Sequence, residues 1–338
     1  MGRASSELEY PQNDDVVKTK ASLSGYFEKS ALVLAWILIC IVFSVVEPST
    51  FPTMSNLSSV LGSQAVLLVL TLGLLIPLRA GDYDLSIAGT LTVSSMIVAI
   101  LNAQHHVPIV LTILIALLSG AVIGAVNAFF AVKIGIDPFI VTLGTGTVLQ
   151  GVVTWISNAQ TISGVSQGLI NVVIIDEFLK IPLEFYYGLI LCFVIWYTFE
   201  YTAWGRRLLF VGQGREVARL SGIRVNRVRA TSLVLSGVVS ALAGVLYAGT
   251  NGGADPTSGF SFLLPAFAAA FLGSTAIAPG RFNPWGALIA VYFLVTGITG
   301  LTMAGVQTFV QDLFYGGALI IAVAISHLIG KRRKTGSG

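Results

Sequence analysis

The stretch that decides the fold is Glu200 to Ala230, EYTAWGRRLLFVGQGREVARLSGIRVNRVRA. It carries seven arginines (Arg206, Arg207, Arg215, Arg219, Arg224, Arg227 and Arg229) and only two acids, Glu200 and Glu216. Long apolar runs flank it on both sides. Each cation would cost about 2.5–3.5 kcal/mol at the centre of a membrane helix, so the segment lies in water between two spans. Short arginine-rich loops stay on the cytoplasmic side.

The segment has internal order. Gly214 and Gly222 bracket Arg215, Glu216, Val217, Ala218, Arg219, Leu220 and Ser221, a run of helix formers between two boundary signals. Glu216 in the first turn suits the helix dipole and reaches Arg219 at i+3. Gly222 fits the left-handed position after a helix end. Val217 and Leu220 share one side of this short helix, and Arg215 and Arg219 another. Two readings stand: a surface helix whose apolar patch a partner grips, or an ordinary positively charged inner loop.

The 338 residues are 55% hydrophobic and 10% charged, against about 25% charged in a soluble domain. This composition, in long apolar runs, predicts an all-α polytopic membrane protein; a transmembrane barrel would alternate over about ten residues. The net charge of +3 is small. Because its cations gather at one face, it reads as an orientation signal and not as nucleic-acid binding. Cys40 and Cys192 fall inside apolar runs and read as small core residues. The first apolar run begins near Ser30 with no small-residue cleavage site after it, which reads as a span and not a removed signal.

Residues 1–29 read as a polar cytoplasmic tail, disordered at first, 30–329 as the membrane domain with a cytoplasmic loop at 201–230, and 330–338 as a basic tail. Spans are predicted near 30–46, 60–78, 85–101, 109–132, 139–156, 185–200, 231–249, 262–277, 285–304 and 310–329. With ten spans and both ends inside, Lys180 is the lone lysine or arginine on the outer face, as the positive-inside rule asks. Glu47, Asp176, Glu177, Glu184 and Asp255 make that outer face acidic. Its longest link, about 157–184, has room for a short surface helix, and reads either as a dock for a soluble partner or as a solvated loop. Gly120 and Gly124 form a GxxxG pair, and Ser236, Ser240, Gly244 and Ala248 recur at i, i+4, both helix-packing signals.

Three breaks carry the chemistry. Between Leu78 and Gly89, Asp82 and Asp84 sit among apolar runs with Arg79 as a nearby counter-ion. Such acids face a cavity or a partner, or Asp82 is simply the N-cap of the next span. At Gly135 to Phe139, Asp137 and Pro138 read as N-cap and first turn. The following Thr142, Gly144, Thr145 and Thr147, with Asn127 on the preceding span, offer uncharged hydrogen-bonding groups suited to a sugar or polyol, or to gluing helices together. Gly273 to Gly286 is a Gly/Pro-rich break with Arg281, and Asp312 is an isolated acid. The candidate translocation residues are Asp82, Asp84, Ser86, Asn127, Thr142 and Thr145. No phosphate-binding G-x-x-x-x-G-K-[ST] loop and no H-E-x-x-H motif occurs, and no catalytic set and no cofactor is expected.

These residues resemble a family. Gly81-Asp82-Tyr83-Asp84-Leu85-Ser86 is similar to the G-G-I-D-L-S segment of permeases in ribose-type ABC importers, and Pro138-Phe139-Ile140-Val141-Thr142-Leu143-Gly144 to their P-F-I-V-T-L-G. Asn127 lies in a run like their G-x-x-N-G. Gly205-Arg206-Arg207 followed by Ala218-Arg219-Leu220-Ser221-Gly222-Ile223 resembles their cytoplasmic loop, and Ala268 to Gly286 their Gly-rich region. The chain departs at Asp82-Tyr83, where the family often has Gly-Ile, and at Ala128, where it often has Gly.

The resemblance implies the membrane subunit of a bacterial inner-membrane sugar importer. It would be embedded in lipid, paired with a second permease copy or paralogue, driven by ABC ATPase subunits and fed by a periplasmic sugar-binding protein. It implies that Arg215, Glu216, Val217, Arg219, Leu220, Ser221 and Gly222 couple to the ATPase. Two rivals remain: an ion-coupled secondary transporter using Asp82, Asp84 or Asp312, and a membrane enzyme, which lacks a catalytic set.

Overall fold

The computed structural model describes residues 23–307 and 309–335, with side chains over 30–307 and 309–325. Of the two expected tails, residues 1–22 and 336–338 lie outside the described residues. The chain runs through α1 (Leu23–Val46), α2 (Met54–Ser63), α3 (Ala65–Arg79), α4 (Ile87–Val98), α5 (Ile109–Ala128) and α6 (Pro138–Ile156). Wider π-helical turns extend α4 over Ala99–Gln104 and α5 over Phe129–Ile134. Strand β1 (Ile162–Ser163), helix α7 (Gln167–Ile170) and strands β2 (Glu177–Phe178) and β3 (Ile181–Pro182) fill the long link. Then come α8 (Leu183–Tyr201), α9 (Ala203–Gln213), α10 (Arg215–Leu220), α11 (Val225–Asn251), β4 (Gly253–Ala254), α12 (Ser258–Gly273), α13 (Pro284–Met303) and α14 (Phe309–Thr335). The strands form two antiparallel two-residue pairs, β1 with β4 and β2 with β3.

This is an all-α polytopic membrane protein. Seven helical stretches among the described residues are long and apolar enough to cross a bilayer, the first being α2 and α3 together. Three shorter apolar stretches, Ser30–Val46, Ser258–Gly273 and Phe309–Ile325, coincide with the other expected spans. Some boundaries differ. The span expected at 60–78 is interrupted at Gln64, where φ −102° and ψ 4° leave the helical region. The span expected at 262–277 ends at Gly273. Asn283 holds the following turns: its amide donates to the carbonyls of Gly273, Ala276 and Arg281 at 3.2 Å each, and its oxygen accepts from Gly286 N at 2.6 Å. Glu184, expected on the outer surface, is fully buried in the first turn of α8 and accepts a 2.6 Å hydrogen bond from Thr250.

Helix α11 is the hub, packed against α3, α4 and α5. Its stripe Ser236, Ser240, Gly244 and Ala248 is buried, as close packing in lipid requires. At the α5 crossing Gly120 and Gly237 face one another, and a Cβ on either would overlap the other's carbonyl oxygen. Helix α3 is buried along its whole length, which explains why AVLLVLTLGLLIPLR has no polar face. Helix α6 is the contrast, burying only Thr142, Gly146 and Val153.

Gly237→Val is therefore expected to force α5 and α11 apart, at about 1–3 kcal/mol of overpacking cost, and to lower the melting temperature of the detergent-solubilised chain. Gly151→Ala on α6, where an added Cβ meets open space, is expected to leave it unchanged or raise it. Thermal unfolding of the two variants checks this.

Candidate functional site

The Arg-rich segment folds as α9, α10 and the first turns of α11. Helix α9 was not foreseen, although Thr202 followed three residues later by Gly205 carries a cap: Thr202 Oγ1 accepts from Gly205 N at 3.1 Å. Helix α10 matches the expected surface helix. It starts after Gly214 and ends before Gly222, whose φ of +80° requires the left-handed region. Glu216 and Arg219 pair at 3.7 Å with both side chains largely exposed, a contact of a few tenths of a kcal/mol. Ala218 is buried and anchors α10, while Val217 is 59% and Leu220 87% exposed. Ser221 donates to Val217 O at 2.9 Å.

Beneath α10 lies the turn between α3 and α4. Gly81, at φ +78°, reverses the chain after Ala80. Asp82 then points back under the Arg-rich segment. Its carboxylate accepts from Arg229 through Nε to Oδ2 at 2.8 Å and Nη2 to Oδ1 at 2.9 Å, and from Arg215 Nη2 to Oδ1 at 2.6 Å. Arg215 also donates to Gly81 O at 3.0 Å. The Asp82 side chain is 0% exposed, that of Arg229 10% and that of Arg215 41%. One buried anion thus joins the first residue of α10 to the first turns of α11.

The expected counter-ion, Arg79, is not used here. It sits on the last turn of α3, donates to Glu200 at 3.0 Å and to Phe199 O at 3.3 Å, and lies 4.4 Å over the Phe199 ring. The reversal at Gly81 turns Asp82 away from it. Nor does Asp82 cap α4, whose N-cap position is Ser86 and which has no side-chain cap; Ser86 N donates instead to Asp84 Oδ1 at 3.0 Å. Asp137 does cap α6, accepting from Phe139 N at 2.8 Å.

A second set of bonds ties the same turn again to α11 and to two more helices, α5 and α6. Asn127 on α5 donates to Ser86 Oγ at 2.7 Å, Ser86 Oγ donates to Asp84 Oδ1 at 2.6 Å, and Ser236 on α11 donates to Asp84 Oδ2 at 2.8 Å. Thr142 on α6 accepts from Leu85 N at 3.0 Å and donates to Pro138 O at 2.8 Å. Burial pushes the Asp84 carboxyl above the usual range; the Ser86 and Ser236 bonds oppose the rise and the nearby Asp82 adds to it. Asp82, Asp84, Ser86, Asn127 and Thr142 are each at most 2% exposed. Thr145 stands apart, half-buried on α6. Asp312 is exposed in the first turn of α14, where an acid complements the helix dipole.

Sequence reasoning left Arg229 and Ser236 out of the candidate set. Arg229 is the last cation before an apolar run, with no acid in the first turn of its helix. That placement calls for an anion from elsewhere in the fold, and is the signal that could have found it.

Removing one partner of a buried pair leaves the other uncompensated, at about 3–5 kcal/mol. Asp82→Ala and Arg229→Ala are expected to lower stability by this order, Arg215→Ala by about 1 kcal/mol because its side chain reaches water. Thermal unfolding of the three variants gives the ranking; equal losses for all three would contradict it.

The sequence profile of the family described as branched-chain amino acid transport system / permease component matches residues 56–323. The D-allose transport system permease protein of Escherichia coli (strain K12) is 28% identical over 306 residues, covering 90% of this chain and 94% of that protein. The ribose import permease protein of Bacillus subtilis (strain 168) is 31% identical over 302 residues, 89% and 93% of the two chains. The galactose/methyl galactoside import permease protein of Salmonella typhimurium is 29% identical over 333 residues, 93% and 98%. No solved structure matches the chain. Together the apolar helices and this similarity over nearly the whole length make the chain a member of the family of transport-system permease components, a multi-pass protein of the bacterial inner membrane.

Proposed function

We propose that the chain is the membrane-spanning, non-catalytic subunit of an ATP-driven importer for a monosaccharide or related polyol, and that it takes its stroke through α10. It crosses the membrane ten times with both ends in the cytoplasm. The membrane domain covers 30–329, between a cytoplasmic tail at 1–29 and a basic tail at 330–338, and its 201–230 loop faces ATPase subunits on the inside. A second permease copy or paralogue completes the pathway, and a periplasmic sugar-binding protein delivers the solute to the acidic outer face. The similarity to allose, ribose and galactose permeases supports the solute class.

The observation that carries the coupling is the Asp82 junction. An exposed six-residue helix with Val217 and Leu220 in solvent is joined by Arg215 to a buried carboxylate between two long helices. A push on α10 is thereby delivered to the α3–α4 turn and, through Arg229, to α11. Arg215 is the link, Val217 and Leu220 the grip, Glu216, Arg219 and Ser221 hold the short helix together, and Gly222 lets it end. The burial of Asp82, Asp84, Ser86, Asn127 and Thr142 supports a positioning role at the inner end of the pathway, while Thr145 on the little-buried α6 is free to meet solute. An ion-coupled rival is disfavoured, because two guanidiniums occupy Asp82 and hydroxyl and backbone donors occupy both oxygens of Asp84.

Leu220 is 87% exposed, so Leu220→Asp is expected to leave insertion and thermal stability intact. Uptake of solute in vesicles holding the reassembled importer is expected to fall to background, with ATPase subunits no longer retained on purification. Normal ATP-driven uptake by this variant would refute the coupling role of α10.

A further inference from the structure

The two acids of the Arg-rich segment are both engaged, Glu200 by Arg79 and Glu216 by Arg219, and Asp82 takes Arg215 and Arg229. Arg207, Arg224 and Arg227 have no ion pair among the described residues, yet all three line one cavity of about 600 Å³. Two helix faces form it. Trp204 and Arg207 are three apart on α9. Arg224, Arg227, Val228 and Thr231 fall at i, i+3, i+4 and i+7 at the start of α11, a single helical face. Trp204 Nε1 donates to Thr231 Oγ1 at 3.2 Å and ties the two faces together.

We infer that this cavity is a binding site for the phosphate headgroup of an anionic phospholipid. Three features point there. The first turn of α11 holds no acid, and the positive end of a helix dipole beside two arginines calls for an anion. The cavity is amphipathic, with Trp204, Ile223 and Val228 beside the guanidiniums, which suits a phosphate attached to glycerol and acyl chains. It also opens where two helices leave the apolar layer: α8 ends at Tyr201 just before Trp204, and Trp belongs to the interfacial belt. Basic pockets between helices on the cytoplasmic side suit anionic headgroups. Val217 and Leu220 do not line the cavity, whereas Ser221 and Gly222 at the end of α10 do, so the lipid site borders the helix proposed to meet the ATPase. The inference rests on the cytoplasmic placement proposed above.

The test titrates the full-length chain in detergent micelles with dioleoylphosphatidylglycerol and counts bound lipid by native mass spectrometry, with dioleoylphosphatidylcholine as the uncharged comparison. One phosphatidylglycerol is expected to be retained in preference to phosphatidylcholine. Arg207→Gln, Arg224→Gln and Arg227→Gln are each expected to weaken it about fivefold and the triple variant about a hundredfold. Arg206→Gln, one residue outside the cavity, is expected to change nothing. The graded single variants keep the result readable if the triple variant fails to fold.

Equal phosphatidylglycerol retention by wild type and all Arg→Gln variants would overturn the site. Displacement of the lipid by glycerol phosphate at equal concentration would show a free-phosphate site and overturn the lipid assignment. Unchanged lipid retention together with lost ATPase co-purification would hand the cavity to a protein partner. Labelling of an Arg215→Cys variant from outside the cell would sink the proposed orientation, while the retention data would still decide whether the cavity holds lipid.

Discussion

A carboxylate with no access to water must be neutralised where it stands, and Asp82 is neutralised by two guanidiniums from different elements. That requirement orders the end of the molecule that carries the Arg-rich loop. Arg229 fixes the first turns of α11, the helix against which α3, α4 and α5 pack, and Arg215 fixes α10 on the surface above it. The unequal exposure of the two arginines gives the junction a direction: Arg229 is a buried structural anchor, Arg215 the arm that reaches out. Next to it, Asp84 gathers α11 and, through Ser86, α5, while Thr142 brings in α6. The turn from Gly81 to Ser86, which joins α3 to α4, is therefore the point where four further helices, α5, α6, α10 and α11, meet. A displacement of any of them is felt by the others, because interiors packed at this density do not absorb small shifts.

Much of this was legible in the sequence. Hydropathy located the long apolar helices, and the distribution of lysine and arginine set the Arg-rich loop apart. Gly214, Glu216 and Gly222 marked α10 because helix ends depend on a few local residue types. Asp82, Asp84, Ser86, Asn127 and Thr142 were singled out as polar groups among apolar runs, and the fold does bring these five together. What could not be read was which charge meets which. Arg79 is three residues from Asp82 in the chain, but the left-handed turn at Gly81 sends the two side chains to different helices. Arg229 is far along the chain and close in space, a pairing that no local pattern encodes. Glu184 was misplaced for a similar reason: an acid in the first turn of an apolar helix reads as solvated unless Thr250, on another helix, is known to bond it.

The departures from the resembled family motif gain meaning from the geometry. Where the motif has Gly-Ile, this chain has Asp82-Tyr83. Asp82 is the anion under α10, and Tyr83, 44% exposed, stacks on Phe271 of α12 with centroids 6.4 Å apart. Both changes add a contact between the turn and its surroundings. Six of the seven cations of the Arg-rich loop thus divide into three sets: Arg215 and Arg229 hold Asp82, Arg219 steadies α10, and Arg207, Arg224 and Arg227 line the amphipathic cavity.

The central claim is that α10 and the α3–α4 turn move as one body. Spin labels at Val217→Cys and Tyr83→Cys, both at exposed positions, report the distance between them by pulsed electron resonance in the reassembled importer. The account predicts one narrow distance that is the same with and without bound ATP, and that broadens when Asp82→Ala removes the junction. A distance that shifts with nucleotide while Asp82 is intact would contradict it.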